Sequence, residues 1–366
     1  MKKIAFITIH VGSNFGSVLQ TIATSETLKR LGYEPLCVNY NPPRVTYKRF
    51  WSLGNVNILK KSLRLFWKLY ALPERLLNRR AYQGYLGKYV KLSSPIYAED
   101  NFAEKCPKAD VYMTGSDQVW NMKHNEGLDT HYFFDGVKGK KISFASSVGY
   151  TDLINGGKDA LKKYLADYSS LSVREDSAVE LLASLGLRAE QLLDPVFMLN
   201  ETEWKDYTKP ERIVKEPYLL VYAPYNTVDK GLIFRHARRI ADKEGLKVVT
   251  FSWMYFRDKD ADISMRFAGP GDFLNLMMNA EYVITNSFHG TAFSINLKKC
   301  FWVFLPSGFT TRITSVLTRF GLNDRLIEGE APVGWDYKQP VDAVHVDEVL
   351  SEERARSVDY LKRAIG

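Results

Sequence analysis

The chain sets a histidine where a strand gives way to a helix. Residues 281–304 read EYVITNSFHGTAFSINLKKCFWVF. A short apolar strand over 282–285 breaks at Asn286-Ser287-Phe288-His289-Gly290, a helical run follows over 291–297, and a second strand covers 301–305. In open α/β sheets, ligands bind beyond the carboxyl ends of the strands. Helix N-termini there offer free N–H groups and a dipole that favours an anion. His289 falls at that place, and an imidazole can take or give a proton near neutral pH. The simpler alternative is that Ser287 caps the helix and His289 is a packed polar residue.

Other polar groups recur just past strands. Asn14, Gly16 and Ser17 open a helix after the first strand and can bind an anion through backbone N–H groups, or serve only as a tight turn and cap. Asp117 lies in Gly115-Ser116-Asp117-Gln118-Val119-Trp120-Asn121, with an Asx-turn or helix cap as its alternative. Ser146 follows another apolar run, and Arg174 stands in Ser172-Val173-Arg174-Glu175-Asp176. An arginine fork pairs bidentately with carboxylate or phosphate. Arg174, and more weakly Arg312 near a helix start, are therefore candidate anion ligands; the alternative for Arg174 is a salt bridge to a nearby acid.

The elements that must position these groups alternate between strand and helix. Residues 3–10 predict a strand, 18–31 a helix stopped by Gly32, and 33–40 a second strand. The glycines lack the dinucleotide spacing, and Asn39-Tyr40 stand where an acid would end the second strand, which argues against NAD. Residues 41–90 interrupt the rhythm with an aromatic, basic helix over 59–77. Strands at 109–114, 141–145, 171–173 and 191–194, with a helix over 157–168, complete an N-terminal Rossmann-like domain over 1–199. A linker over 200–216 leads to a second Rossmann-like domain over 217–345, and a helix over 346–365 within the last segment, 346–366, is placed to return to the first domain. Two such α/β domains with facing strand ends predict a cleft suited to a two-substrate transfer enzyme.

Composition narrows the classes. At 366 residues the chain is long enough for two domains, and 45% hydrophobic with 25% charged residues is ordinary for a globular protein. Cys37, Cys106 and Cys300 show no paired spacing, which argues against a disulfide framework or structural zinc and fits a reducing, cytoplasmic setting. No carboxylate–histidine cluster points to a metal. The opening run of apolar residues is short and interrupted by His10, so it reads as a strand rather than a signal peptide, and no run approaches a membrane span. The charge of +8 is concentrated: residues 44–91 carry 12 Lys/Arg against the single acid Glu74, and the rest of the chain is net negative. That pattern excludes a general nucleic-acid binder and leaves two readings for the insertion: contact with an anionic membrane surface at the inner face of the cell membrane, or an ordinary packed helix with a solvated basic face.

Taken together, the blocks Asn14-Phe15-Gly16 with Leu19-Gln20, Gly115 to Asn121, Phe144-Ala145-Ser146-Ser147-Val148-Gly149, Ser172 to Asp176, and Ser287-Phe288-His289-Gly290-Thr291 resemble the polysaccharide pyruvyl transferase family over most of the chain. The resemblance implies a glycosyltransferase-B-like pair of domains and transfer of a pyruvyl group from phosphoenolpyruvate to two sugar hydroxyls as a ketal, in exopolysaccharide or cell-surface glycan synthesis. Its acceptors include lipid-linked precursors, and it implies no obligatory cofactor or metal. Under it, His289 and Asp117 are the acid/base pair; Arg174, Arg312, Ser287, Asn14, Gly16 and Ser17 hold the donor; Gln118, Trp120, Asn121 and Ser146 meet the acceptor. Trp120 has the alternative of anchoring its loop in the core. Many members carry Arg-Leu-His where this chain has Ser287-Phe288-His289, so the donor's anionic groups fall to Arg174 or Arg312. A nucleotide-sugar glycosyltransferase of the same architecture, and a non-catalytic saccharide- or membrane-surface module, are the competing readings.

Overall fold

In the computed structural model, which describes residues 1–45, 51, 57–150, 153, 156–225, 230–252, 258–308, 310–330 and 335–366, the strands form two large parallel sheets beside two short two-stranded ladders. The first contains β1 (Lys3–Ile7), β2 (Glu34–Cys37), β3 (Val111–Thr114), β4 (Lys140–Ser143) and β5 (Tyr168–Ser170), in the order β2-β1-β3-β4-β5. The second contains β6 (Tyr218–Tyr222), β7 (Lys247–Phe251), β8 (Ile263–Met265), β9 (Tyr282–Thr285), β10 (Cys300–Phe304) and β11 (Leu326–Ile327), in the order β8-β7-β6-β9-β10-β11. Strand order reverses between β1 and β3 in one sheet and between β6 and β9 in the other. Those are the switch points where doubly wound sheets open a crevice.

Alternation along the strands builds the layers. Ile4 and Phe6 point to one side of the first sheet, and Ala5 and Ile7 to the other. In the second sheet Tyr218, Leu220 and Tyr222 join the same core as Ile4 and Phe6, whereas Leu219 and Val221 face a separate cluster. One face of each sheet therefore feeds a continuous core shared by both halves.

The helices filling these layers are α1 (Phe15–Arg30), α2 (Ile58–Tyr89), α3 (Gly157–Leu165), α4 (Asp176–Ser184), α5 (Lys230–Glu244), α6 (Pro270–Asn279), α7 (Phe288–Asn296), α8 (Thr311–Arg319) and α9 (Ala343–Ile365). In α9 the Tyr360 hydroxyl donates to the Ser143 carbonyl at 2.8 Å, and Arg363 pairs with Glu190 at 3.1 Å, so its last turns lie on the first half.

Several elements differ from the sequence expectation. The edge strand is Tyr168–Ser170, and Ser172–Val173 instead pairs with Glu190–Gln191 in a separate ladder. The Ser172 hydroxyl donates to the Ser143 carbonyl and accepts from the Ala145 N–H, so side-chain bonds bridge the gap to β4 until backbone pairing resumes at Ser146, whose N–H donates to the Ser172 carbonyl. The expected linker holds a helical turn, Glu201–Trp204, with an Asn200/Glu203 capping box and a buried Trp204 whose indole donates to the Val196 carbonyl. Helix α2 runs on to Tyr89 because Tyr82 and Leu86 enter the shared core. Residues 46–50 and 52–56 of the insertion lie outside the described residues.

Candidate active site

The turns beyond the strand ends are zippered together. Asp117, Ser146 and Val173 continue the parallel pairing past β3 and β4, with Ser147 N–H donating to Asp117 O and Arg174 N–H to Ser146 O, each at 3.0 Å. Asp117 and Arg174 are thereby set on the two backbone tips that flank Ser146. Asp117 adopts a left-handed conformation, φ 73°, which aspartate tolerates better than most residues. Its Oδ1 accepts from the N–H of the next residue, Gln118, at 2.8 Å, one residue short of an Asx-turn, while Oδ2 accepts from the Ser17 hydroxyl at 2.5 Å.

From the second half, Ser287 takes the N-cap position of α7 without a side-chain cap bond, and its side chain meets the Tyr222 hydroxyl. His289 lies in the first turn of the helix. Gly290 lets this turn sit against β9 and β6: a Cβ there would stand 2.2 Å from Thr285 Oγ1 and 3.0 Å from the Tyr222 ring. The His289 ring crosses to the first half and rests on Gly16, where a Cβ would lie 2.1 Å from the ring. Gly16→Ala should therefore hold the halves apart, lowering activity by about tenfold or more for a 1–3 kcal/mol overpacking cost. Turnover measured beside a thermal melt checks this, and unchanged turnover counts against closure at this contact.

The charged groups converge on one buried volume. Arg174 donates through Nη1 to Asp194 Oδ2, and its Nη2 stands 4.0 Å from Asp117 Oδ1. His289 Nε2 is 3.9 Å from the same Asp194 oxygen. The guanidinium carbons of Arg174 and Arg312 lie 4.3 and 5.8 Å from the centre of the Phe288 ring. Asp117, Arg174, Glu175, Asp194, His289 and Arg312 are all 5% exposed or less. Arg174 Nε and Nη2 and His289 Nε2 are buried and have no hydrogen-bond partner among the described residues. Buried donors left open in this way fit an anion.

Electrostatics divides the roles. Burial works to raise the Asp117 carboxyl, but Arg174, His289 and the Ser17 hydrogen bond outweigh it and hold it at about 2. Burial lowers the His289 imidazole, partly opposed by Asp194 and Asp117, which favours the neutral ring. Glu175 moves the other way: burial raises it, although Arg174 and the Ser147 hydroxyl pull it down. Arg174 stays charged because Asp194, Glu175 and Asp117 outweigh its desolvation, whereas burial and Arg174 together lower Arg312. A carboxyl depressed on folding stabilises fully above its unfolded value and loses that contribution as pH falls through the folded one. Asp117 should thus contribute on the order of 2 kcal/mol at neutral pH, lost between 3.8 and about 2. Asp117→Asn should flatten that part of the stability–pH curve in urea titrations.

The expected acceptor residues divide. Trp120 is 1% exposed, stacked on Phe133 at 5.7 Å and edge-on to Tyr168, so its faces are taken by protein. Trp120→Ala should cost about 3–5 kcal/mol of stability, read by denaturant melts, rather than change acceptor choice. Asn121 is fully buried, donating to Gln118 Oε1 and accepting from the N–H groups of Lys123 and His124. The Ser146 hydroxyl bonds the carbonyls of Thr114 and Gly115. These three hold the turns in place: the Trp120 ring is packed in the core, and the polar atoms of Asn121 and Ser146 are spent on Gln118 and on backbone. Gln118 is bonded to Asn121 beside Asp117, and Asn14 caps α1 through Ser17 N–H at 3.2 Å. A cavity of about 200 Å³ lined by Gly12, Ser13, Arg75 and Arg79 adjoins this turn.

Two acids outside the expected site residues join the cluster. Asp194 accepts from both Arg174 and the Ser116 hydroxyl, and Glu175 accepts from Ser147. Asp194 carries the same signal as the others, a polar residue closing the strand expected over 191–194.

Known structures share this architecture. A Staphylococcus aureus MnaA–UDP structure is 13% identical with a TM-score of 0.53, covering 100% of this chain and 91% of that one. A UDP-N-acetylglucosamine 2-epimerase is 12% identical with a TM-score of 0.51, covering 99% and 95%. At such identities the likeness shows the fold, which is glycosyltransferase-B-like. No curated protein matches the sequence significantly. A model of the polysaccharide pyruvyl transferase family, however, matches residues 14–308, from the turn that supports His289 to beyond the His289 helix, and the chain belongs to that family.

Proposed function

We propose that this transferase moves the pyruvyl group of phosphoenolpyruvate onto two hydroxyls of a sugar, forming a ketal in the synthesis of a cell-surface glycan. The observation that carries the reading is the buried meeting of Arg174, Arg312, His289 and Asp117 from both halves, with open donors on Arg174 and His289. Two arginine forks around Phe288 supply the cations that the Ser287-Phe288-His289 sequence lacks at its first position. They suit the donor's carboxylate and phosphate.

In this mechanism the first sugar hydroxyl adds to C2 of the donor while its C3 methylene gains a proton and becomes a methyl group. The second hydroxyl then attacks C2, the C2–O bond to phosphate breaks, and that hydroxyl's proton leaves on phosphate. His289, neutral and buried, carries protons between the hydroxyls and the donor. Asp117, ionised to low pH, orients the attacking hydroxyl and stabilises positive charge developing at C2. Glu175, raised by burial, is held by the Ser147 hydroxyl beside Arg174 and helps to position that guanidinium.

The test is phosphate release from phosphoenolpyruvate across free and lipid-linked sugar acceptors, together with thermal shift. Acceptor-dependent release, and a midpoint raised by phosphoenolpyruvate, support the reading. A midpoint raised by a nucleotide sugar but not by phosphoenolpyruvate replaces it with glycosyl transfer.

A further inference from the structure

Helix α2 changes character along its length. Its last turns are buried through Tyr82 and Leu86, but Leu63, Phe66, Trp67, Leu69, Tyr70 and Leu77 are between 37% and 60% exposed. At 100° per residue, Leu63, Phe66, Trp67, Tyr70 and Leu77 form one stripe, flanked by Leu69. Phe66 and Trp67 meet edge-on at 5.7 Å between ring centres, as do Trp67 and Tyr70 at 5.8 Å, and Phe66 and Tyr70 stack at 6.5 Å. Lys61, Arg64 and Lys68 occupy the other side, with Lys60 at its border. Across α2 there are eight Lys/Arg and one acid, Glu74, which is itself buried.

We propose that this half of α2 lies on the surface of an anionic phospholipid bilayer, with its aromatic stripe among the acyl chains and its basic side chains at the headgroups. Exposed leucines and aromatics beside a basic face are what an interfacial helix needs. Among the described residues no helix is long and apolar enough to cross a membrane, so the contact is peripheral. A second copy of the chain is a poorer occupant, because an isologous contact would set two strongly positive helices against each other. Nucleic acid would satisfy the lysines and leave the leucines in water. The helix also leads to the site: Tyr82 stacks on Phe15 at 5.6 Å, next to Gly16 and His289. Residues 70 to 82 span roughly 18 Å of helix. On the pyruvyl-transfer reading, this would present a lipid-linked acceptor beside the cleft; the membrane contact itself does not depend on that reading.

The full chain is sedimented with vesicles of phosphatidylcholine alone and of an equal mixture with phosphatidylglycerol. Binding is expected on the mixed vesicles and little on the neutral ones. Phe66→Glu/Trp67→Glu, and Lys60, Lys61, Arg64 and Lys68 all changed to Gln, should each weaken it by about tenfold or more with unchanged thermal midpoints. Equal sedimentation of wild type and both variants overturns the proposal. So does light scattering that finds a dimer which Phe66→Glu/Trp67→Glu dissolves. Phosphate release on a water-soluble acceptor, run in parallel, separates a failed membrane contact from a failed pyruvyl reading.

Discussion

On the pyruvyl-transfer reading, His289→Ala is expected to lower acceptor-dependent phosphate release from phosphoenolpyruvate by about 10³-fold, the usual scale for a lost general acid–base group. The imidazole is 3% exposed, 3.9 Å from Asp194, and leaves Nε2 without a hydrogen-bond partner among the described residues. Because burial lowers its pKa, the acid limb of kcat/KM should fall below the ordinary imidazole value, and that limb should vanish in the variant. His289→Gln should restore the packing against Gly16 without restoring the rate. A full rate in either variant, with the fold intact, removes His289 from the chemistry.

Arg174→Ala should be the most destabilising single change at the site, by about 3–5 kcal/mol, since removing one partner of a buried ion pair leaves its charge uncompensated. Asp194 and Asp117 both face this guanidinium, and Glu175 adds to the field. Urea unfolding measures the loss. Arg174→Met combined with Asp194→Asn should recover part of it, because neither buried charge then remains. Arg174→Lys separates fold from function: it keeps the charge but lacks the planar fork. It should stay folded while the thermal shift with phosphoenolpyruvate shrinks. An undiminished shift in Arg174→Lys would assign donor binding to Arg312.

Much of the architecture follows from local pattern. Residues 282–304 alternate and punctuate as strand, turn, helix and strand, and the structure places β9, α7 and β10 there. Hydrophobic period and glycine stops are local properties, so a single sequence carries them. The short edge strands were less legible. Tyr168–Ser170 has two serines of three residues, and its partner Lys141/Ile142 shifts register. What makes it a strand is the neighbour beside it.

The sequence alone determined two α/β halves, polar turns past the strand ends, and the family blocks that contain Asp117, Arg174 and His289. Tertiary structure decided which turns meet. The His289 ring lies on Gly16, 273 positions earlier, and Arg174 reaches Asp194 and Asp117 across separate turns. It also decided that Trp120, Asn121 and Ser146 support the turns, since the Trp120 ring is stacked on Phe133 and the polar atoms of Asn121 and Ser146 are engaged by Gln118 and the backbone. Residue type sets what a side chain is able to do; burial, bonding partners and approach distance set what it is left to do, and those arise only when distant segments pack.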